Sequence, residues 1–388
     1  MKILYVVSKS VEINTSASIR NSAMISGLIE LGHSVTLIST EPDKRSEYYD
    51  NSLLPKDVEV VYFNDGNIQK VADWFKRNPL LKPLKRIVSK HKNATEIYDS
   101  QKWIINHASE VSFDNYDCVI SSSDPKSSHL FVYEGMIKLA NRTGKKAKRW
   151  IQIWGDPFLG DVSIVNAQGR EKIYKEEKKL IGAADVVYYV SSATLEAQRK
   201  SYPEFADKML HIPIPYLKER IFKLRNMQKV KPLELCYCGD YPSLYRNIRP
   251  LYDAVNNMED IHLTICGASN IKLNETDKVT ILPRQGHKKI EEIEEKADIL
   301  VHLSNSFGTQ IPGKIYQYSG TNKPILFILD GEKEKMCSIF EKYKRFVFAE
   351  NYIGSIKKVI KEIQCDTRQW NPVGDFDKIR IANFLNLE

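Results

Sequence analysis

Patterns typical of buried strands alternate with helical patterns along almost the whole chain. Short apolar runs such as KILYVVS, SVTLIS and YDCVISS read as strands. After the first of them, Met24, Ile25, Leu28 and Leu31 recur at the spacing of one helix face. Strands that alternate with helices predict parallel sheets with helices on both faces. We therefore expect an α/β protein built from doubly wound, Rossmann-like sheets.

The same rhythm runs twice, which predicts two domains in tandem. A chain of 388 residues is longer than one hydrophobic core usually fills, and a proline-framed, charged stretch lies near its middle. We expect an N-terminal Rossmann-like domain over 1–212, a linker over 213–232 and a C-terminal Rossmann-like domain over 233–370. A C-terminal helix within 371–388 is expected to return to the first domain. Ligands of such sheets bind at the carboxyl ends of the strands, so the two domains should face a central cleft.

Composition narrows the class of protein. There is no run of eighteen apolar residues and no signal-peptide pattern, which favours a cytoplasmic protein. The six cysteines lie mostly in apolar runs and read as core residues, not as disulfides or metal ligands. The net charge is +8, and residues 70–92 hold eight Lys or Arg and one acidic residue. That stretch suits an anionic membrane surface or a solvated helix face, and no motif for nucleic acid accompanies it.

Segment 308–315, with the sequence GTQIPGKI, is one residue short of the phosphate-loop pattern G-x-x-x-x-G-K-[ST]. The residue that should hold Mg²⁺ is Ile315, and Pro312 removes a backbone N–H from the loop. An ATPase is therefore disfavoured. The N–H groups of Gly313 to Ile315, the dipole of the short helix that Lys314 begins and the lysine ammonium still suit a diphosphate without a metal.

Other loops at predicted strand ends add candidate residues. The first strand-to-helix loop has no glycine, which argues against NAD or FAD. Its hydroxyl groups suit a sugar, although they also suit a helix cap. Asp375 and Asp377 form a D-x-D pair, but they precede the last helix and are interpreted as helix N-terminal charge, so no metal site is expected. The candidates on the first domain are Thr15, Ser16, Arg20, Asp124, Trp154 and Asp156; those on the second are Gly239, Arg246, Arg284 and the segment 309–317.

These residues resemble a known family. The stretches MKILYVVS, AADVVYYVSSATLEAQRKSY, LELCYCGDY and ADILVHLSNSFGTQIPGKIYQYSGTNKPIL are similar to the family-4 group of nucleotide-sugar glycosyltransferases with the GT-B fold. The resemblance covers essentially the whole chain. It implies transfer of a sugar from a nucleotide diphosphate donor, with retention of configuration and without a bound metal or other cofactor.

The resemblance also implies roles for individual residues. Lys314 and Arg246 would neutralise the charge on the leaving diphosphate, and Asp156 would lie on the acceptor side. The donor-binding set would comprise Gly239, Arg284, Thr309, Gln310, Pro312, Gly313, Lys314, Ile315 and Gln317. Two of these depart from the family pattern, because Thr309 and Gln317 stand where many relatives have glutamates. Asp240 likewise stands where relatives have an arginine.

Three functions remain open at this point. The first is a cytoplasmic, membrane-associated glycosyltransferase that builds a surface polysaccharide on a glycan or lipid-linked acceptor. The second is a nucleotide-sugar 2-epimerase of the same fold. The third is a non-catalytic partner that binds a nucleotide sugar and pairs with an active transferase. The loss of both glutamates is what keeps the third hypothesis open.

Overall fold

The structure, a computed structural model, describes residues 1–64, 96–144, 148–161 and 169–387. Within these residues the chain forms a seven-stranded sheet and a six-stranded sheet, and every strand pairing is parallel. Helices pack on both sheets. The predicted α/β class with two doubly wound domains is confirmed.

The first sheet has the order β3-β2-β1-β4-β5-β6-β7. Its strands are β1 (Lys2–Val6), β2 (Ser34–Thr40), β3 (Glu59–Phe63), β4 (Cys118–Ser122), β5 (Trp150–Trp154), β6 (Val186–Tyr189) and β7 (Met209–His211). The helices described in this half are α1 (Ser16–Glu30), α2 (Ser127–Thr143), α3 (Arg170–Ala183) and α4 (Ser192–Ser201). The basic stretch 70–92 that the sequence singled out lies outside the described residues.

The second sheet has the order β10-β9-β8-β11-β12-β13. Its strands are β8 (Leu233–Cys238), β9 (Ile261–Cys266), β10 (Val279–Leu282), β11 (Ile299–Leu303), β12 (Ile325–Leu329) and β13 (Phe346–Glu350). The helices are α5 (Arg249–Asn256), α6 (His287–Lys296), α7 (Lys314–Ser319), α8 (Lys333–Phe340), α9 (Ile353–Cys365) and α10 (Lys378–Asn383).

The last helix, α10, packs against α1 of the first domain. A Cβ added at Gly27 of α1 would lie 2.3 Å from the carbonyl oxygen of Lys378, so glycine is what lets the two helices approach. Lys378 also pairs with Glu30 at 2.6 Å, and the backbone N–H of Asn386 donates to the Tyr188 hydroxyl at 3.1 Å. The end of the chain is therefore part of the first domain's surface.

One apolar cluster joins the two domains. It includes Tyr5 of β1, Ile214 and Tyr216 of the segment between the sheets, and Phe327 of β12. The Tyr216 ring lies against Gly320, where a Cβ would come within 2.7 Å of the ring. The segment that follows β7 is therefore packed into a continuous core, and the carboxyl ends of both sheets are held facing each other.

Candidate functional site

A cavity of about 860 Å³ lies between the carboxyl ends of the two sheets. Loops that follow β1, β4 and β5 line one wall, and loops that follow β8, β9, β10 and β11 line the other. Most of the candidate residues from the sequence lie on it: Thr15, Ser16, Arg20, Asp124 and Asp156 on the first wall, and Gly239, Arg246, Arg284, Gln310, Pro312, Gly313, Lys314 and Gln317 on the second.

Lys314 is held by a buried carboxylate. Its ammonium lies 2.7 Å from Glu294 of α6, a side chain that is 1% exposed. Glu294 also accepts from Arg220, which follows the first domain. Burial alone would lower the pKa of Lys314, but the Glu294 carboxylate outweighs it and the pKa is raised. The lysine is therefore a fixed cation at the cavity wall.

Arg246 precedes helix α5, which begins three residues later than this side chain. Its Nε donates to the Asn305 side chain at 2.9 Å and its Nη1 donates to the Asp240 carbonyl at 2.6 Å. Among the described residues these neutral oxygens are its hydrogen-bond partners. Since no described carboxylate neutralises it, the guanidinium presents a whole charge to the cavity.

Arg284 reaches across the cavity to the first domain. Its Nη2 donates to the Asn14 carbonyl at 2.9 Å, and its guanidinium lies 4.6 Å from the centre of the Tyr48 ring. Asp240 lies 3.7 Å from its Nη1. The side chain thus contacts the second wall and the first wall at once.

The segment 309–317 is partly committed to protein contacts. The Thr309 hydroxyl lies 2.9 Å from that of Thr194 in the first domain, and the Ser191 hydroxyl donates to the Thr309 carbonyl at 2.7 Å. The Gln317 amide donates to the Pro215 carbonyl and accepts from the Leu217 N–H. Neither residue leaves its side chain free for a donor sugar or ribose without a change of partners.

The helix that follows this segment is short. α7 has six residues, and Ile315 is fully buried at its first turn. The Ile315 N–H, expected to be free for an anion, donates to the Pro312 carbonyl at 3.3 Å. Gly313 lies at ordinary contact distance from Ser16 on the opposite wall. The cations of this wall, and not the helix end, provide its positive charge.

The first wall carries a carboxylate cluster around Lys126. The Lys126 ammonium contacts Asp124 and lies 2.9 Å from Asp161, and Asp156 is the third aspartate nearby. Burial raises the pKa of Asp156 to about 7, and the Asp124 carboxylate adds to the rise. Asp156 therefore exchanges a proton near neutral pH, as a general acid or base must.

Arg20 and Trp154 are structural more than they are accessible. Arg20 is 5% exposed and donates to the Ser123 carbonyl, and it fills the space that a Cβ of Gly155 would need. Trp154, expected on the acceptor side, is fully buried and does not line the cavity. Its ring stacks on His129 at 4.2 Å because the last residue of β5 faces helix α2, away from the cleft.

The two hydroxyl residues of the first loop differ in their roles. Thr15 is the N-cap of α1 and accepts from the Ser18 N–H at 3.1 Å. Ser16 is the first residue of the helix, and no hydrogen bond of its side chain is among those that the structure describes. Both lie on the cavity, which leaves the Ser16 hydroxyl available to a ligand.

Three functional side chains escaped the sequence analysis. They are Glu294, which fixes Lys314; Lys126, which is 7% exposed amid the aspartates; and Lys9, whose pKa burial and Arg284 both lower. Glu294 had a detectable signal, because it shares the helix face of Ile290, four residues earlier, and so falls on an apolar stripe. Lys126 and Lys9 lie in loops, where periodicity carries no information.

Two searches across the described residues gave negative findings. They hold no group of three or more His, Cys, Asp or Glu side chains arranged to bind a metal ion. No helix among them has the length and apolar character needed to cross a bilayer.

Comparison with known proteins shows the fold. No protein-family model matches the chain, and no curated protein matches it. Three solved structures are similar over most of both chains. Sucrose-phosphate synthase from Thermosynechococcus elongatus is 13% identical with a TM-score of 0.59, covering 98% of this chain and 94% of that one.

The second is HepE from Anabaena in complex with UDP, which is 12% identical with a TM-score of 0.55, covering 99% of this chain and 95% of that one. A candidate UDP-N-acetylglucosamine 2-epimerase from Listeria monocytogenes is 10% identical with a TM-score of 0.52, covering 98% and 94%. At these identities the likeness concerns architecture. The chain has the GT-B fold, in which two Rossmann-like domains face each other across a cleft.

Proposed function

We propose that the protein is a glycosyltransferase that moves a sugar from a nucleotide diphosphate donor to a glycan or lipid-linked acceptor. One observation carries the proposal: Lys314, Arg246 and Arg284 converge on one wall of the cavity, opposite the proton-exchanging carboxyl of Asp156. A diphosphate needs several fixed cations, and an acceptor hydroxyl needs a group that can take its proton. The two walls supply both requirements.

In this proposal the second domain holds the donor. The Arg246 guanidinium, which bonds only to neutral oxygens among the described residues, can bind two diphosphate oxygens at once. Lys314, fixed by Glu294, stabilises the charge that develops as the glycosidic bond to phosphate breaks. Gly239, Gln310, Pro312 and Gly313 allow the backbone to approach the donor.

The first domain would hold the acceptor. Asp156 and the Ser16 hydroxyl lie on the wall that faces the donor cations. We place the acceptor hydroxyl beside Asp156, with Asp124 and Lys126 setting the local charge. Retention of configuration and independence of a metal rest on the resemblance of segment 304–328 to the family-4 enzymes. A nucleotide donor is consistent with the complex of the similar HepE protein with UDP.

Assignment to surface polysaccharide synthesis, with a lipid-linked acceptor at the cytoplasmic face of a membrane, rests on the same resemblance and on the basic residues in 70–92. Sedimentation with vesicles tests the membrane component. Vesicles rich in phosphatidylserine should retain the protein and neutral phosphatidylcholine vesicles should not. Loss of binding in 0.5 M salt would be expected for electrostatic attachment.

Ligand binding and turnover test the central proposal. Thermal unfolding in the presence of UDP, GDP, ADP and CMP should show one base that raises the melting temperature, because a ligand of the native state stabilises it. Lys314→Ala should abolish the increase and lower turnover by roughly 10²–10³-fold, the usual effect of removing one charge-stabilising donor. Lys361→Ala, an exposed lysine on α9, is the matched control.

Product analysis separates the competing functions. Transfer of sugar with release of the nucleotide diphosphate supports the transferase, and the anomeric configuration of the product decides retention. The similar fold of the Listeria epimerase candidate makes the second function worth testing, and it predicts a free epimerised sugar nucleotide without an acceptor. Nucleotide binding that Lys314→Ala leaves unchanged would overturn the donor site proposed here.

A further inference from the structure

A second cavity, of about 1030 Å³, lies in the C-terminal domain and shares no lining residue with the cleft. Its walls include residues at the beginnings of strands, such as Glu234 of β8, His262 of β9 and Asp298 just before β11. The cleft, in contrast, forms where the strands end. The second cavity therefore opens at the opposite edge of the sheet and is independent of the proposed donor site.

The sheet face that forms one side of this cavity is unusually polar. The His262 ring lies 2.9 Å from the Glu234 carboxylate and 3.0 Å from the Thr280 hydroxyl, so the three side chains form a hydrogen-bonded row across β8, β9 and β10. Thr264 lies on the same face. The strands of a parallel sheet are normally apolar on both faces because helices cover them. Here Leu263 and Ile265 keep the other face apolar, and the polar face lines open space.

Buried donors without acceptors lie beside the cavity. Trp370 lines it and is 3% exposed, yet its indole N–H has no partner among the described residues. Behind it, Arg345 is also 3% exposed, and its Nε and Nη1 likewise have no described partner. The two side chains are stacked, with the guanidinium 5.6 Å from the ring centre. Unpaired buried donors are costly, so this group of side chains is suited to an added acceptor.

The charge around the cavity has the sign that an anion needs. Six basic and four acidic side chains line it within the described residues. Two of the basic ones are already paired, Arg225 with Asp298 at 2.8 Å and Arg368 with Asp366 at 2.6 Å. Burial, with the charge of Arg368, lowers the pKa of Arg345 to about 9, which shows that its charge lacks a compensating carboxylate.

We propose that the second cavity binds a small phosphate-bearing polyol, such as a sugar phosphate. The phosphate would lie against the indole N–H of Trp370 and the basic side chains, because these are the unpaired donors. The hydroxyl groups would bond to the row of Glu234, His262 and Thr280, which offers both donors and acceptors. The site does not depend on the function proposed for the cleft.

Calorimetric titration of the whole chain tests this site. Glucose 6-phosphate and ribose 5-phosphate should bind with one site per chain, more tightly than inorganic phosphate, and glucose should not bind. Trp370→Phe removes the N–H and keeps the ring, and Thr280→Val removes the hydroxyl. Each should weaken binding by roughly tenfold, the effect of one lost hydrogen bond of about 1.4 kcal/mol.

Matched variants make the result decisive. Lys296→Met removes an exposed charge at the cavity and should weaken binding, whereas Lys361→Met removes an exposed charge from α9 and should not. Lys314→Ala, in the cleft, should leave sugar-phosphate binding unchanged. Absence of binding, or binding that Lys296→Met leaves intact and Lys314→Ala removes, would overturn the proposal. Binding of inorganic phosphate alone would contradict a polyol ligand.

Discussion

Asp156 is a carboxyl group whose surroundings oppose its ionisation. Burial raises its pKa from 3.8 to about 7, and Asp124 adds to the rise while Lys126 opposes it. Between these two values the native state binds a proton that the unfolded chain has released. Stability therefore falls as the pH rises from about 4 to about 7, and above pH 7 the full cost of the buried carboxylate remains.

Asp156→Asn should remove this cost. We expect the variant to melt a few degrees above the unsubstituted protein at pH 8.5, since about 1 kcal/mol moves the midpoint by roughly 2–4 °C in a chain of this size class. The two proteins should melt at similar temperatures at pH 5, where Asp156 is protonated. Thermal unfolding followed by circular dichroism at both pH values measures the difference.

A surface aspartate provides the control for that experiment. Asp117 is paired with Lys148 at 2.8 Å, and that hydrogen bond lowers its pKa. Asp117→Asn should give no gain of stability at high pH. An Asp156→Asn variant that melts lower than the unsubstituted protein at pH 8.5 would show that the carboxylate is satisfied as an anion.

Single residues also show where sequence reasoning succeeds. Asp156 and Lys314 were placed at the cleft because both follow predicted strands, and in a parallel sheet the carboxyl ends of strands meet. Trp154 was misplaced because a strand buried on both faces gives no signal of which face a side chain takes. Glu294 was overlooked because a charged residue on a helix was assumed to face water.

At the scale of elements, the contact between α1 and α10 depends on one missing side chain. Gly27→Ala would place a methyl group 2.3 Å from the Lys378 carbonyl oxygen, so α10 must move. We expect a loss of about 1–3 kcal/mol of unfolding free energy, as for other overpacked contacts. Chemical denaturation monitored by fluorescence measures it.

Gly374→Ala is the matched substitution for this element. A Cβ at Gly374 meets no atom within 4 Å, and its backbone does not require glycine. That variant should be neutral or slightly stabilised, because alanine reduces the freedom of the unfolded chain. Equal stability losses in both variants would mean that the tight packing at Gly27 has no energetic weight.

Element boundaries followed from local signals with one instructive exception. α6 runs from His287 to Lys296 and α7 ends before Gly320, as the sequence indicated. α5 begins at Arg249, five residues later than expected, because the N–H groups of Tyr245 and Arg246 both turn back to the Pro242 carbonyl. That turn is what aims Arg246 into the cleft. The contacts of segment 309–317 with the first domain were not predictable, since they join residues more than a hundred positions apart.

At the scale of the whole molecule, two sets of contacts hold the domains together across the cleft. Arg284 contacts Asn14 and Tyr48 on one side, and Thr309 contacts Thr194 and Ser191 on the other. Each set is small and polar, so it can exchange for ligand contacts at low cost. The described state is one in which the walls touch.

Arg284→Met combined with Thr194→Val should loosen this closure. Small-angle scattering should give a radius of gyration above the roughly 21 Å expected for a compact chain of this length, because both interdomain contacts are lost. Arg249→Met, an exposed charge on α5, serves as the control and should leave the radius unchanged. An unchanged radius in the double variant would show that the continuous apolar core alone fixes the domain arrangement.

The return of the last helix to the first domain has a consequence for how the molecule can come apart. The backbone crosses between the domains twice, once after β7 and once before α10, so each domain is tied to the other by two separate peptide segments. A single cut in the segment after β7 would leave the pieces joined by α10 packed on α1. A protein nicked there should still migrate as one particle under native conditions, and separate production of the first domain would require residues 1–212 together with the chain's final helix.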